Sequence, residues 1–172
     1  DKPGDISGTL AAYQASITIL EQLCELVSSN NLPNDLTYTL ITAYGNRATV
    51  KANAYDYSGA LADFDKAEGF CFELVNDGDW VLAALLINYQ FRIWVVYTQL
   101  EDHHRAYTKR LSLATNLKEL ERSWSESGML GEPPWRDLLF SCLNNLTPSI
   151  RDVFFADLDE DAVFIKQLLG WQ

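Results

Sequence analysis

The sequence is short of positive charge. It contains 13 lysine and arginine residues against 24 aspartates and glutamates, so its formal net charge is −11. Such a charge repels polyanions and anionic lipid headgroups over a long range. We therefore expect no nucleic-acid partner and no membrane-surface partner. A neutral or basic polypeptide is the kind of partner that the charge favours.

Residues that form disulfides or bind metals are scarce as well. The three cysteines, Cys24, Cys71 and Cys142, lie among apolar residues without CxxC spacing. This pattern predicts buried free thiols in a reducing compartment, and hence a cytoplasmic protein. The only two histidines, His103 and His104, are adjacent, whereas two metal ligands on one helix face need a spacing of three or four residues. The histidines therefore predict no metal site.

An acidic run near the C-terminus has part of the pattern of a calcium-binding loop. It begins at Asp157, but Ala162 stands where the sharp bend needs glycine, and Leu168 stands where the closing acidic ligand belongs. An acidic helix N-terminus is the ordinary explanation. The sequence also lacks a glycine-rich phosphate loop, a nucleophile elbow and a zinc signature. We expect no metal, no cofactor and no enzymatic activity.

Long apolar runs and strand signals are missing too. The richest apolar stretch, WVLAALLINY at 80–89, is cut short by QFR before it reaches the length of about 20 residues that a membrane span needs. Apolar residues at three- and four-residue spacing continue through most of the chain, without the alternation of a half-buried strand. The sequence predicts one all-α domain over residues 1–172. It starts at Asp1 without an initiator methionine or signal peptide, which is compatible with a piece of a longer protein.

Turn residues divide the chain into eight predicted helices. Asn34 or Asp35 is the expected N-cap of the second helix and Ser58 that of the third. Tryptophans are predicted to pack in the core or at helix junctions, and surface recognition is an alternative for Trp135, which follows the loop SESGMLGEPP. The predicted ranges are 7–27, 34–54, 58–75, 80–100 and 102–124, followed by three C-terminal helices within 133–170.

Short stretches of the sequence are similar to one another. SGTLAAYQ from Ser7 and SGALADFD from Ser58 share Ser-Gly, a leucine, an alanine and an aromatic at the same offsets, and HRAYTKRL from His104 is a weaker copy. The copies lie about 45 to 50 residues apart, which is longer than the common helical repeats. Each copy is predicted to open the second helix of a helix pair.

Residues 38–75 carry the best-defined repeat. Small Ala48 and Ala60 would let its two helices approach each other, while aromatic side chains fill the volume beside them. This stretch resembles a tetratricopeptide repeat, although Lys51 stands where the family usually has an aromatic and Phe72 where a proline usually closes the repeat. The resemblance implies that five residues pack the repeat: Tyr44, Ala48, Ala60, Phe64 and Ala67.

The resemblance also implies an architecture and a binding surface. Antiparallel helix hairpins would stack as a right-handed superhelix, an α-solenoid, with the C-terminal helices as its cap. The first helix of each pair would line a concave groove for a peptide or helix. Alternatives that stay open are a solvated helix face without a ligand and a groove filled by the C-terminal helices. The expected groove residues are Thr42, Asn46, Thr49 and Asn53 from one helix, and Asn88, Arg92, Val95 and Gln99 from the next.

The function that these patterns predict is non-catalytic protein–protein interaction, in an adaptor or assembly scaffold. An acidic inhibitor or immunity-type protein, which would bind a basic partner, is the main alternative, because negative charge would steer the encounter. A structural module whose groove is filled by its own terminus or by a second copy is another. A small hydrolase is the weakest alternative, because no pair of carboxylates stands out.

Overall fold

The computed structural model describes residues 5–26, 34–75 and 79–171. Over these residues the chain is helical and has no strand, so the prediction of an all-α fold is confirmed. The predicted end of the first helix and the turn residues at 27–33 and 76–78 lie outside the described residues. The eight helices of the described part are α1 (Ile6–Leu26), α2 (Asn34–Asn53), α3 (Tyr57–Val75), α4 (Trp80–Gln99), α5 (His103–Glu126), α6 (Pro134–Asn144), α7 (Pro148–Phe155) and α8 (Asp159–Leu168).

Four helices begin with the same aspartate cap. The carboxylate of Asp5 accepts from the backbone N–H three residues later at 2.8 Å, that of Asp56 at 2.9 Å, that of Asp79 at 3.1 Å and that of Asp102 at 3.0 Å. Such a cap satisfies a backbone donor that the first turn of a helix leaves unpaired. The prediction that Ser58 caps α3 is wrong, because α3 already begins at Tyr57 and Asp56 is its cap.

The chain divides into two compact units, Asp1–Asn76 and Asp77–Gln172, which leaves the single domain over 1–172 as a prediction. In unit 1, α2 packs against both α1 and α3. Ile17 of α1, Ile41 of α2 and Cys71 of α3 are fully buried there. The residues predicted to pack the repeat are buried as well: Tyr44, Ala48, Ala60, Phe64 and Ala67.

In unit 2, α4 packs against both α5 and α6. The ring of Phe154 from α7 lies 4.9 Å from that of Trp94 in α4, centroid to centroid. The buried guanidinium of Arg110 in α5 donates to the backbone carbonyls of Phe154 at 3.0 Å and Ala156 at 2.7 Å, and also to that of Val153. These bonds hold the C-terminal end of α7 against α5.

Helix α4 extends over Trp80–Gln99, so the predicted helix at 80–100 is confirmed. The expectation that QFR leaves the apolar stretch too short for a membrane span is wrong by length and composition. Among the described residues α4 alone is long and apolar enough to cross a membrane, by length and composition only, and 56% of its apolar window is buried inside the protein. Buried core helices of soluble proteins share this composition.

Three tryptophans form one cluster in unit 2. The rings of Trp80, Trp124 and Trp135 lie 5.2 to 5.8 Å apart, centroid to centroid. Trp135 is fully buried, and its Nε1 donates to Glu121 Oε1 at 2.7 Å. The alternative that Trp135 recognises a partner at the surface is therefore wrong. Its ring packs in the core, and its indole N–H already has a hydrogen-bond acceptor.

Enlarging Ala60 is expected to disturb the contact between α2 and α3. Ala60 is fully buried, so Ala60→Leu should overpack the interface and lower the free energy of unfolding by about 1–3 kcal/mol. Urea unfolding followed by far-UV circular dichroism measures this. The control is Ala62→Leu on the same helix, since Ala62 is exposed. Equal midpoints for the two variants would contradict close packing at Ala60.

Candidate functional site

A stripe of uncharged polar residues runs along α2. Its members recur every three or four positions and so lie on one helix face. Asn46 and Asn53 are exposed, as is Thr39, which the sequence analysis missed although it continues the same spacing; Thr42 and Thr49 are half-buried. We call this set, which contains four of the predicted groove residues, the α2 polar stripe: Thr39, Thr42, Asn46, Thr49 and Asn53.

The stripe offers two kinds of hydrogen-bonding groups. The hydroxyls of Thr39, Thr42 and Thr49 donate to backbone carbonyls one turn earlier at 2.6, 2.9 and 2.9 Å, and the oxygens of the first two keep lone pairs with which to accept. The amides of Asn46 and Asn53 make no side-chain hydrogen bond to the described part of the chain. Each amide can donate and accept at once, and both are open to a ligand.

A buried ionic cluster fixes α2 against α3. Asp63 accepts from Arg47 Nε at 2.7 Å and from Arg47 Nη2 at 2.6 Å. Lys51 Nζ lies 2.8 Å from Asp63 Oδ2, the oxygen that also accepts from Arg47 Nε. Burial by itself would raise the pKa of Asp63, but the hydrogen bonds and charges of Arg47 and Lys51 outweigh burial and lower it. Lys51, which departs from the tetratricopeptide pattern, is thus the second cation of this cluster.

A second set of contacts joins α1 to the same cluster. Arg47 Nη1 donates to Gln14 Oε1 at 2.6 Å, and the phenol of Tyr44 donates to Glu21. Lys66 Nζ in turn donates to the Tyr44 hydroxyl at 3.0 Å. Burial, followed by the hydrogen bond to Glu21, raises the pKa of Tyr44. The three helices of unit 1 are therefore held together by directional bonds, which keep the exposed side of α2 in one position.

The groove residues predicted on α4 have different surroundings. Asn88 accepts from Arg92 Nε at 3.1 Å and from the thiol of Cys142 in α6 at 3.9 Å. Both Asn88 and Arg92 are half-buried, as is Val95, and Gln99 is exposed. Within unit 2, α6 thus lies on α4 beside Asn88, which corresponds to the alternative that C-terminal helices cover this side. The α2 polar stripe belongs to unit 1, and each set is described within its own unit.

A cleft of about 440 Å³ opens in unit 2 between the start of α6 and the end of α8. Two exposed carboxylates, Glu132 and Asp137, and the ring of Phe140 line it. Arg136 also lines it, and its Nη2 lies 2.5 Å from Glu121 Oε2. The sequence analysis missed this cleft because its two walls are about thirty residues apart along the chain. The wall from α8 consists of Gln167, Leu168, Leu169 and Gly170.

Residues weighed for metal binding occupy ordinary positions. His103 and His104 are exposed in the first turn of α5. Asp159 begins α8, and Asp161 in its first turn pairs with Lys118 of α5. Among the described residues, no group of three or more histidine, cysteine, aspartate or glutamate side chains is placed to hold a metal ion.

No protein-family model matches this chain, and no curated protein or solved structure is significantly similar to it. We therefore infer the roles of the α2 polar stripe and of the cleft from the contacts within this chain.

Proposed function

We propose that the protein is a non-catalytic protein–protein interaction module, which works as an adaptor or assembly scaffold in the cytoplasm. Its ligand is a peptide of a partner protein in extended conformation, and the α2 polar stripe is the surface that binds it. The observation that carries this proposal is the pair of exposed amides, Asn46 and Asn53, on a helix that buried ion pairs hold in place.

The spacing of the two amides suits an extended backbone. Asn46 and Asn53 are seven residues apart, which is about 10 Å along the helix axis. An extended chain rises about 3.3 Å per residue, so the two amides can bond to peptide groups three residues apart. Because the cluster around Asp63 already fixes α2, little conformational entropy of the protein is lost on binding.

Two packed helix pairs support a tetratricopeptide-like arrangement. Asp5, Asp56 and Asp102 begin α1, α3 and α5 with the same hydrogen bond, and Asp79 makes it at α4 as well. The cap alone therefore does not distinguish first from second helices, and the support comes from the two helix pairs, α2 packed against α3 and α4 against α5. We propose that these pairs are degenerate repeats of a helical solenoid, in which α1 corresponds to the second helix of a pair.

Removing the two amides is expected to weaken peptide binding without unfolding the protein. Two hydrogen bonds contribute about 1–3 kcal/mol, so Asn46→Ala/Asn53→Ala should raise the dissociation constant about 5- to 150-fold. The probes are peptides selected on the wild-type protein from a random phage-displayed library, and calorimetry measures their affinity. The control is Asn144→Ala/Asn145→Ala, because these two amides are exposed on α6 and its C-terminal cap.

Unchanged affinity in the Asn46→Ala/Asn53→Ala protein, with an unchanged helical spectrum, would overturn the role of the stripe. Binding of a basic partner is the second candidate function, and one observation favours it: Glu132 and Asp137 line the cleft together with Phe140. In that case the selected peptides would be rich in lysine and arginine, moderate salt would release them, and Glu132→Gln/Asp137→Asn would weaken their binding.

A further inference from the structure

Helix α1 is apolar along most of its length but contributes little to the core. It has 21 residues, and only Ile17 among them is buried. Its half-buried residues include Tyr13, Leu20 and Cys24, which lie on the same side as Ile17, and α2 packs against this helix. Apolar residues on the remaining surface of α1 are therefore not explained by the packing of unit 1.

A second apolar stripe lies on the outer side of α1. Ile19, Leu23 and Leu26 are 57, 42 and 80% exposed, and Ala12 and Ala15 are exposed as well. The spacings between successive members are three, four, four and three residues, which keeps all five on one face of the helix. We call this set the α1 outer stripe: Ala12, Ala15, Ile19, Leu23 and Leu26.

The α1 outer stripe is complementary in shape to a second copy of itself. Its N-terminal half has alanines and its C-terminal half has leucines. If two copies of α1 pair in antiparallel orientation about a two-fold axis at Ile19, Ala15 of one copy faces Leu23 of the other, and Ala12 faces Leu26. Small side chains then meet large ones on both sides of the axis, where the two Ile19 side chains face each other, and this fit suits close helix packing.

The net charge opposes the association of two copies, so a contact between them must lie on an uncharged face. The molecule carries a net charge of −11, so most ways of bringing two copies together place acidic surfaces against each other. No member of the α1 outer stripe is charged, and Glu21, on the other side of α1, is already paired with Tyr44 and Lys66. In the antiparallel pair Glu25 of one copy lies at the level of Tyr13 of the other, whereas a parallel pair would bring the two Glu25 side chains together.

We propose that the protein is a homodimer in which the α1 outer stripe pairs, antiparallel, with that of a second copy. The interface is isologous, because the same residues contribute from both copies. It leaves the α2 polar stripe out of the contact, so dimerisation and peptide binding do not compete for the same residues. A dimer would present two peptide-binding surfaces and could raise the apparent affinity for a multivalent partner.

The oligomeric state of the whole chain tests this proposal. Sedimentation equilibrium over about a hundredfold range of concentration should give a monomer–dimer equilibrium. Ile19→Lys places two cations against each other at the two-fold axis and should raise the dissociation constant about tenfold or more. The matched control is Thr18→Lys, which adds the same charge at the neighbouring, exposed position outside the stripe and should dimerise more strongly than Ile19→Lys. Leu26→Lys, at an 80% exposed position, should behave like Ile19→Lys and guards against a folding defect.

The orientation is tested by cysteine pairing. When the single variants Ala12→Cys and Leu26→Cys are mixed and oxidised, a disulfide between the two variants should form, and wild type with its native cysteines serves as the background. A monomer at all concentrations, or a dimer that Ile19→Lys leaves intact, overturns the proposal. Disulfides that form only within each single variant would overturn the antiparallel arrangement, and a complex of other stoichiometry would overturn the two-fold symmetry.

Discussion

Replacing Asp63 with asparagine is expected to lower the free energy of unfolding by about 3–5 kcal/mol at neutral pH, as the loss of one partner from a buried ion pair does. Asp63 is only 4% exposed and balances Arg47 and Lys51. An asparagine of the same size leaves both cations without their counter-charge in a poorly solvated position. Urea unfolding followed by far-UV circular dichroism measures the loss, with Glu25→Gln as a control because Glu25 is an exposed carboxylate of the same unit.

The difference in unfolding free energy between wild type and Asp63→Asn should also depend on pH, and its sign follows from the pKa of Asp63. The pKa of Asp63 is lowered in the folded state, so the unfolded state binds a proton at higher pH than the folded state does. Its stabilisation is complete above the ordinary aspartate pKa of about 3.9 and is lost as the pH falls through the folded value. The difference between wild type and Asp63→Asn should therefore be constant near neutrality and shrink below about pH 4. If the difference in unfolding free energy does not change with pH, the negative charge of Asp63 is not what stabilises the folded state.

Truncating Phe154 to alanine is expected to lower the free energy of unfolding by about 3–5 kcal/mol, because the substitution leaves a large cavity in a packed interior. The Phe154 ring is fully buried and contacts the rings of Phe91, Trp94 and Phe155 at centroid distances of 5.8, 4.9 and 5.1 Å. It is therefore the main apolar anchor of α7 in unit 2.

Tryptophan fluorescence is the appropriate signal for Phe154→Ala, because all five tryptophans lie at or after position 80 and so in unit 2. The control is Val153→Ala, the neighbouring residue, whose side chain is 46% exposed and should cost less than about 0.5 kcal/mol. If Phe154→Ala unfolds at the same urea concentration as this control, α7 does not pack on unit 2 as described.

Features that depend on neighbours in sequence could be predicted well. The periodicity of apolar residues located all eight helices of the described part to within a few residues, because a helix satisfies its own backbone and its packing stripe repeats every turn. The cap of α3 was assigned to Ser58 instead of Asp56. Both residue types can cap, and only the position of the backbone N–H three residues further on distinguishes them.

Features that depend on distant residues could not be predicted in the same way. Trp135 has the sequence surroundings of a surface loop, but its indole N–H finds Glu121 on another helix. Asn88 and Arg92 have the spacing of an exposed stripe, but α6 packs beside them. Helical periodicity identifies a face of a helix, and it does not identify what lies against that face.

The sequence by itself determined that this protein is helical, where its helices lie to within a few residues, and that it is acidic, because hydrogen bonding within a helix and net charge are local or additive properties. Only the tertiary structure decided that Lys51 and Arg47 share Asp63, that the amides of Asn46 and Asn53 are open while Asn88 is engaged, and that α1 keeps an uncovered apolar stripe. The physical reason is that burial and ion pairing depend on which side chains meet in space, and residues that meet in this way are far apart along the chain.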